Sequence, residues 1–152
     1  GERMKLGLML NDPEEEHDCF SDNTHNSHYY DGIGIRNVYE GRYVRIDGSL
    51  VEGPSPADLV AAADPETNDG LRRALDASVA RLGEIKIVAE AGMAYDQMLE
   101  RGNAEGARLI EAAVDALIDQ TREIERAVAA LGLDSIAFEG SDSLDDPTAV
   151  FQ

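Results

Sequence analysis

Apolar residues recur at every seventh position near the end of the chain, and this repeat constrains the fold more than any other feature of the sequence. Such spacing places one apolar stripe along a helix. A helix from Ala104 to Leu131, capped by Asn103, would be about 42 Å long at the usual rise per residue. That length is typical of a member of an antiparallel helix bundle. The residues of the repeat are Ile110, Leu117, Ile124 and Leu131.

The region before this helix also has helical spacing. Apolar residues at steps of three or four positions predict a long helix that starts near Glu66 and breaks or kinks near Ala91-Gly92. A short apolar face then runs from Tyr95 to Leu99, and Arg101-Gly102 ends it. Most of the second half of the chain is therefore predicted to be helical.

A short β-hairpin interrupts the helical pattern near residues 43–52. Aromatic and β-branched residues flank Asp47-Gly48, a dipeptide that readily adopts the positive φ angles of a tight turn. Ser55-Pro56 then predicts a short helix, since serine is a good N-cap and proline fits the first helical position. The predicted fold class is all-α: an antiparallel bundle of long helices with a small hairpin insertion, formed by residues 1–152 as a single helical domain.

Composition limits the partners of this chain. The formal net charge is -18 and no basic stripe offsets it, so the phosphate backbone of a nucleic acid would be repelled. We therefore expect no nucleic-acid partner. No segment approaches the roughly 18 apolar residues of a membrane span, and no transmembrane segment is predicted. The many carboxylates favour cations, or they serve solubility alone.

The two ends of the chain carry separate predictions. Residues 1–10 read as the end of a helix that Asn11-Asp12-Pro13 stops, because proline has no amide donor and disfavours a helical predecessor. We accordingly expect a fragment or a processed chain. The last residues, 132–152, carry scattered apolar side chains among small and acidic ones, and we expect them to lie over the bundle without regular structure.

One polar segment is unusual. Residues 14–32, EEEHDCFSDNTHNSHYYDG, hold all three histidines and the single cysteine of the chain. Ser21, Asp22 and Asn23 are each good N-caps for a helix that would start here. Cys19 has no second cysteine with which to form an intramolecular disulfide, and we expect it to be a buried thiol.

Histidines and carboxylates in this segment have spacings that would suit a cation. Residues three apart share one face of a helix, and a carboxylate can also orient an imidazole for metal binding. The spacing alone does not bring all of these side chains to one point. The three pairs are Asp22 with His25, His28 with Asp31, and Glu14 with His17.

Structural roles are open for the same residues. Asp22 would be favourable at the positive end of a helix without any ligand. Residues 14–16 read as a solvated acidic run, and residues 28–30 as packing against a neighbouring helix. His25 fits a purely structural role least well, since it lies one turn into a helix whose glycines indicate close packing. Zinc-protease, nucleophile-elbow and phosphate-loop motifs do not occur in the sequence.

Two motifs resemble the imelysin-like family of cell-envelope proteins. The first is EHDCFSDNTH, residues 16–25, and the second is GIRNVYEGRY, residues 34–43. The likeness extends through AYDQML, residues 94–99, where Ala94-Tyr95 replaces the Pro-Phe that the family more often has before the aspartate.

The resemblance implies an all-helical protein of two related halves, of which this chain is similar to the second. It also implies a periplasmic or cell-envelope location, a link to iron uptake, and iron or another divalent metal as cofactor. The family signature Gly-x-His-x-x-Glu belongs to the first half and is absent here. Ligand contacts are implied for the second wall of a shared pocket, and metal ligation is implied for three residues. The implied contact residues are Ser21, Asp22, Asn23, His25 and Asp96, and the implied metal ligands are His25, Asp22 and His17.

Two functions follow as hypotheses. In the first, the chain is a metal- or ligand-binding module whose pocket is shared with an N-terminal imelysin-like half, either in the same protein or in a cleaved chain. In the second, the complete protein is a metallopeptidase whose catalytic histidine and glutamate lie in that other half. A blander role, in which the segment only stabilises the contact between halves, is also open.

Overall fold

A computed structural model of the protein describes residues 2–134, and within them six α-helices and one two-stranded hairpin form the fold. A π-helical turn, Glu2–Leu6, leads into the first helix, and a 3-10 turn, Pro13–Glu15, follows it. The all-α prediction with a small hairpin insertion is confirmed. The prediction for the C-terminal segment concerns residues that lie almost wholly outside the described part. The elements are α1 Gly7–Leu10, α2 Thr24–Glu40, β1 Arg42–Val44, β2 Leu50–Glu52, α3 Pro56–Ala63, α4 Pro65–Glu90, α5 Tyr95–Leu99 and α6 Ala104–Ala130.

The long helices α4 and α6 run antiparallel and form the centre of the bundle. Leu71 and Leu75, early in α4, share a core cluster with Ala127, late in α6. Ile85, late in α4, shares the other cluster with Ile110, early in α6. Both predicted long helices are therefore confirmed, and the seven-residue repeat of α6 faces the core because its stripe is covered by α4.

The shorter elements close the two ends of this pair. Helix α2 lies along α4, and α3 contacts both α2 and α4. Helix α5 packs against the first turn of α6, where Gly106 lies so close to Met98 that an added Cβ would stand 2.4 Å from the Met98 Cα. Tyr95, Met98 and Leu99 of α5 are buried in the same cluster as Ile110.

Three helices, α3, α4 and α6, are capped at their N-termini by side chains. Each cap lies where the sequence predicts that a helix starts or ends. The Ser55 hydroxyl accepts the Asp58 amide, and the Asp58 carboxylate accepts the Ser55 amide, so α3 begins with a full capping box. Asp64 accepts the Glu66 amide and a second amide at the start of α4. The Asn103 side chain accepts the Gly106 amide at the start of α6, as predicted.

The hairpin projects from the bundle. Strands β1 and β2 pair antiparallel with Tyr43 opposite Val51, and every residue of both strands is exposed. Gly48 has a φ of 82°, which a glycine adopts without strain, so the predicted turn is confirmed. At the base, the Gly53 amide donates to the Gly41 carbonyl oxygen at 3.0 Å. An added Cβ on Gly41, whose φ is 61°, would lie 2.7 Å from the Gly53 carbonyl oxygen, so the close approach requires a glycine.

None of the helices between residues 2 and 134 combines the length and the apolar character that crossing a bilayer requires.

Candidate functional site

The polar segment folds as a loop that is tied to the first turns of α2. The Asp18 amide donates to the Thr24 hydroxyl oxygen at 2.9 Å, and Thr24 is fully buried. The Ser27 hydroxyl donates to the Asp18 carboxylate. Ser21 closes the loop by donating from its hydroxyl to the Asp18 carbonyl oxygen at 3.2 Å. These bonds fix the residues just before α2 against its N-terminal end.

Helix α2 begins without the side-chain cap that the sequence predicts. Asn23 occupies the N-cap position, but its side chain accepts no backbone amide of the first turn. Asn23 Oδ1 instead accepts from Asn26 Nδ2 at 2.8 Å. Asp22 has a φ of 51°, a left-handed conformation that aspartate tolerates better than most residues. Neither residue is therefore accounted for by side-chain capping of α2.

Glu16 is the first residue that the sequence analysis placed wrongly. It was expected in a solvated acidic run, but it is only 8% exposed, whereas Glu14 is exposed. Its Oε2 atom is buried without a hydrogen-bond partner. Burial raises the pKa of Glu16; a hydrogen bond with the Thr24 side chain opposes this, while the charges of Asp96, Asp22 and Asp18 raise the pKa further. A buried carboxylate oxygen without a hydrogen-bond partner is costly.

His28 lies on α2 one turn after Thr24 and is buried. This burial agrees with the packing role that the sequence predicts for residues 28–30. Its ring stacks on His17 at a centroid distance of 6.1 Å and meets the edge of Tyr95 at 5.5 Å. Burial lowers the pKa of His28 to about 4; the nearby His17 also lowers it, and Asp31 opposes. The imidazole is therefore neutral at neutral pH.

Nε2 of His28 is buried without a hydrogen-bond partner. A neutral imidazole has one donor and one acceptor nitrogen, so this atom is an unsatisfied polar group in either tautomer.

Tyr95 completes a buried polar group at the start of α5. The residue is fully buried and its hydroxyl has no partner. Burial raises the pKa of Tyr95, and the charge of Glu16 raises it further. Its ring contacts His28. Tyr95 thus contacts His28 on α2, and the charge of Glu16, which follows the 3-10 turn, acts on its hydroxyl.

Buried side-chain atoms without a hydrogen-bond partner are concentrated in this region. Within residues 2–134 they come from Glu16, His25, His28 and Tyr95, and from no other residue. His25 Nε2 accepts from Asn26 Nδ2 at 3.1 Å, so the unpartnered Nδ1 of His25 carries the ring proton. Since nearly all buried polar atoms in folded proteins are satisfied, such a concentration marks a site that is incomplete by itself.

The residues singled out from sequence surround this group. Ser21, Asp22 and Asn23 are exposed, and His25 is half-buried. Asp96 is half-buried on α5, where its Oδ1 accepts the Gln97 amide at 2.6 Å. The 3-10 turn that precedes Glu16 contacts α5, and the charges of Asp22 and Asp96 both raise the pKa of Glu16.

The predicted metal ligands do not form a metal site on their own. In the part of the chain that the structure describes, no three histidine, cysteine, aspartate or glutamate side chains are grouped so that they could hold a metal ion. His17 is exposed, and its Nε2 accepts from Arg3 Nη1 at 3.0 Å. Asp22, His25 and His17 would therefore need further ligands from elsewhere to hold iron or another divalent metal. Cys19 is half-buried, so the expected fully buried thiol is not observed.

An open polar cleft of about 690 Å³ lies beside the buried group. Asp18 and His17 border it on the loop side, and Asn23 and Asn26 on the first turn of α2. Lys86 and Glu90 of α4 form the far wall and are paired with each other. The cleft can therefore offer both hydrogen-bond donors and acceptors to a polar ligand.

Three residues of the site had a weak signal in the sequence or none. Glu16 follows two other glutamates, and nothing in the run distinguishes the buried one. Thr24 follows three residues that are each good N-caps, and nothing in the sequence singles it out. Tyr95 was assigned to an apolar helix face, which is correct for its ring but overlooks its hydroxyl.

Comparison with known proteins assigns the chain to a family. No curated protein matches it. A family profile described as Imelysin, Peptidase M75, matches residues 1–124 of the 152 residues. The match includes α2, α5 and the loop that carries Glu16, and therefore the entire candidate site. The chain belongs to the imelysin family.

Proposed function

We propose that this chain is a ligand-binding module of an imelysin-like protein of the cell envelope, implicated in iron uptake. Its site at the start of α2 forms one wall of a pocket, and an N-terminal imelysin-like half of the same protein or of a cleaved chain supplies the other wall. The ligand is polar and linked to metal. Ser21, Asp22, Asn23, His25 and Asp96 provide its contacts from this side.

One observation carries the proposal: every buried unpartnered side-chain atom of residues 2–134 belongs to this site. A purely structural helix start would satisfy these atoms internally, because each one left unpaired costs about 1–3 kcal/mol. The exposed Asp22 and Asn23 flank the buried group without capping α2. A ligand or a second half that completes these hydrogen bonds would account for both features.

In this proposal, the N-terminal half supplies the further ligands that a metal ion would need. Since the described residues do not group three metal-binding side chains, the site of this chain would add contacts to a metal-linked ligand and would not hold the ion alone. The periplasmic or cell-envelope location and the iron link rest on the family likeness.

Binding of ferric citrate to the complete two-half protein tests the proposal. Asp22→Ala and His25→Ala should each weaken binding at least fivefold in isothermal titration calorimetry, because each removes a polar contact. Asp69→Ala, which removes an exposed carboxylate of α4, is the matched control and should leave affinity unchanged. Equal affinity in all four proteins would count against a binding role and in favour of a stabilising role for the segment.

A metallopeptidase is the second candidate, favoured by the peptidase designation of the matching family profile. Its catalytic histidine and glutamate would lie in the N-terminal half. Casein incubated with the complete protein and Zn²⁺, with and without a chelator, separates the two functions. Chelator-sensitive cleavage that is lost in His25→Ala would contradict a binding-only role, whereas tight metal binding without cleavage would contradict the peptidase.

A further inference from the structure

An apolar groove of about 250 Å³ lies between the last turns of α2 and the last turns of α6. Leu71, which is buried, lines it from α4, the helix on which α2 and α6 both pack. No charged residue of the described part lines the groove. The Tyr39 hydroxyl donates to Asn68 Oδ1 at 2.9 Å, so the one polar side-chain group of the lining is already satisfied. The groove can therefore gain only from apolar contact.

Residues 2–134 leave the rim of this groove uncovered. On the α2 side, Val38 is 72% exposed and Ile35 is 43% exposed. On the α6 side, Ile124 and Leu131 are half-buried. Apolar side chains that gather around one open groove, as opposed to single scattered ones, indicate a surface that another segment covers.

Helix α6 ends in a Schellman motif that returns the chain to this groove. Gly132 has a φ of 67°, and its amide donates to the Ala129 carbonyl oxygen at 3.0 Å. The Leu133 amide donates to the Val128 carbonyl oxygen at 3.2 Å, which is the bond that defines the motif. Because Val128 itself lines the groove, the chain passes beside the groove immediately before residue 135.

Residues 135–152 carry apolar side chains within reach of the groove. Ile136 and Phe138 come two and four residues after Asp134. An extended chain advances at most about 3.6 Å per residue, so Phe138 is within about 14 Å of Asp134. The segment contains no lysine or arginine and cannot pair with the acidic surface of the bundle, so its apolar side chains are what it can contribute to a contact.

The size of the groove and the charge of the chain argue against other occupants. A volume of about 250 Å³ is below the roughly 300–1,000 Å³ of typical small-molecule pockets, and it suits one or two side chains. A second copy of the chain would bring a further net charge of -18 and be repelled. A segment of the same chain meets no such cost of approach, because it is already attached at the edge of the groove.

We propose that the groove is the docking site of residues 135–152, with Phe138 as the side chain that fills it and Ile136 beside it. Docking removes the aromatic ring and the exposed Val38 side chain from water, and this burial is the driving force. The contact joins the segment after α6 to α2. The groove is formed by other residues than the candidate site, so the inference does not rest on the proposed function.

Fluorescence of the 152-residue chain tests the proposal, because the sequence contains no tryptophan. In Phe138→Trp the emission should be blue-shifted from that of N-acetyltryptophanamide, and the acrylamide quenching constant should be at least threefold smaller. Adding Val38→Glu places a charge on the rim and should raise that constant at least twofold with a red shift. Val38 is 72% exposed, so the core is left intact. Ile87→Glu, on an apolar residue of α4 that is 68% exposed and does not line the groove, is the matched control and should change neither value.

Each remaining outcome would overturn the assignment. An indole as accessible as N-acetyltryptophanamide would show that Phe138 is not docked. Protection that is insensitive to Val38→Glu, or equally sensitive to Ile87→Glu, would place the indole elsewhere. Protection that disappears on dilution of the protein would assign the groove to a second copy. Protection that is present in the 152-residue chain and absent from the complete two-half protein would assign the groove to the N-terminal half.

Discussion

The hydroxyl of Ser78 on α4 donates a hydrogen bond to the side-chain oxygen of Gln120 on α6, and both residues are buried. In the sequence of α4, Ser78 lies between Leu75 of one core cluster and Leu82 of the other. The bond joins the two longest helices at the point where their apolar contacts change from one cluster to the next. A buried polar pair of this kind favours one alignment of two helices over others.

Removing one partner of this pair should be costly. In Gln120→Ala the α6 side of the bond is lost and a cavity remains, so the free energy of unfolding should fall by about 1–3 kcal/mol in urea titrations. Ser78→Ala together with Gln120→Leu replaces both polar groups by apolar ones and should recover most of that loss. A double variant that is less stable than Gln120→Ala would contradict this account.

Two glycine substitutions should have opposite effects. Gly106→Ala places a Cβ 2.4 Å from the Met98 Cα, so α5 must move and the unfolding free energy should fall by about 1–3 kcal/mol or more. Gly34→Ala places a Cβ in open space on α2. It should raise the unfolding free energy by about 0.5–1 kcal/mol, because alanine favours the helix. Thermal unfolding followed by circular dichroism measures both, and equal shifts in one direction would refute the close approach of α5 to α6.

His28 should make the fold sensitive to acid. Burial and the neighbouring His17 lower its pKa from 6.5 to about 4, so the folded state favours the neutral ring. Its contribution to stability is complete above pH 6.5 and is lost as the pH falls towards 4, by on the order of 2–3 kcal/mol. The charged groups that also act on the ring are Arg3 and Asp31.

Comparison with His28→Asn isolates this effect. The difference in unfolding free energy between the wild type and His28→Asn should shrink or reverse between pH 6.5 and 4, measured by urea titration at fixed ionic strength. Glu16 titrates with the opposite sign in both proteins, and its contribution cancels in the difference. Parallel pH profiles would show that His28 is not the group responsible.

Glu16→Gln should stabilise the isolated chain at neutral pH. Burial and the nearby carboxylates raise the pKa of Glu16 above 4.5, so its favourable contribution is present below pH 4.5 and is lost as the pH rises through the raised value. At pH 7 the variant, which removes an unpaired buried charge, should gain about 1 kcal/mol. Glu14→Gln, on an exposed neighbour, is the control. A gain that is equal at pH 4 and pH 7 would rule out titration of Glu16 as its cause.

The sequence predicted most of the fold because its helices carry strong local signals. The seven-residue repeat of α6, the cap at Asn103 and the turn at Asp47-Gly48 each depend on nearby residues alone, and the structure has all three. The opening of the chain was predicted only as the end of a helix, and its π-helical turn has no comparable sequence signal.

The candidate site was predicted less completely, because its members are distant in sequence. The segment around Asp22 and His25 was recognised from its polar residues and its family likeness. The burial of Glu16 depends on contact between the 3-10 turn and α5, and no local pattern encodes that contact. Tyr95 reads as an ordinary core residue until its hydroxyl is found without a partner.

The hairpin between α2 and α3 gives the protein a natural position for inserted sequence. Its two ends meet where the Gly53 amide bonds the Gly41 carbonyl oxygen, and its strand residues are exposed on both faces. A sequence inserted here begins and ends at the closed base of the hairpin, so the helices need not move to accommodate it. A fluorescent reporter or an affinity tag joined at the Asp47-Gly48 turn would therefore be carried away from the core, leaving the segment that bears Glu16 and His25 unmodified.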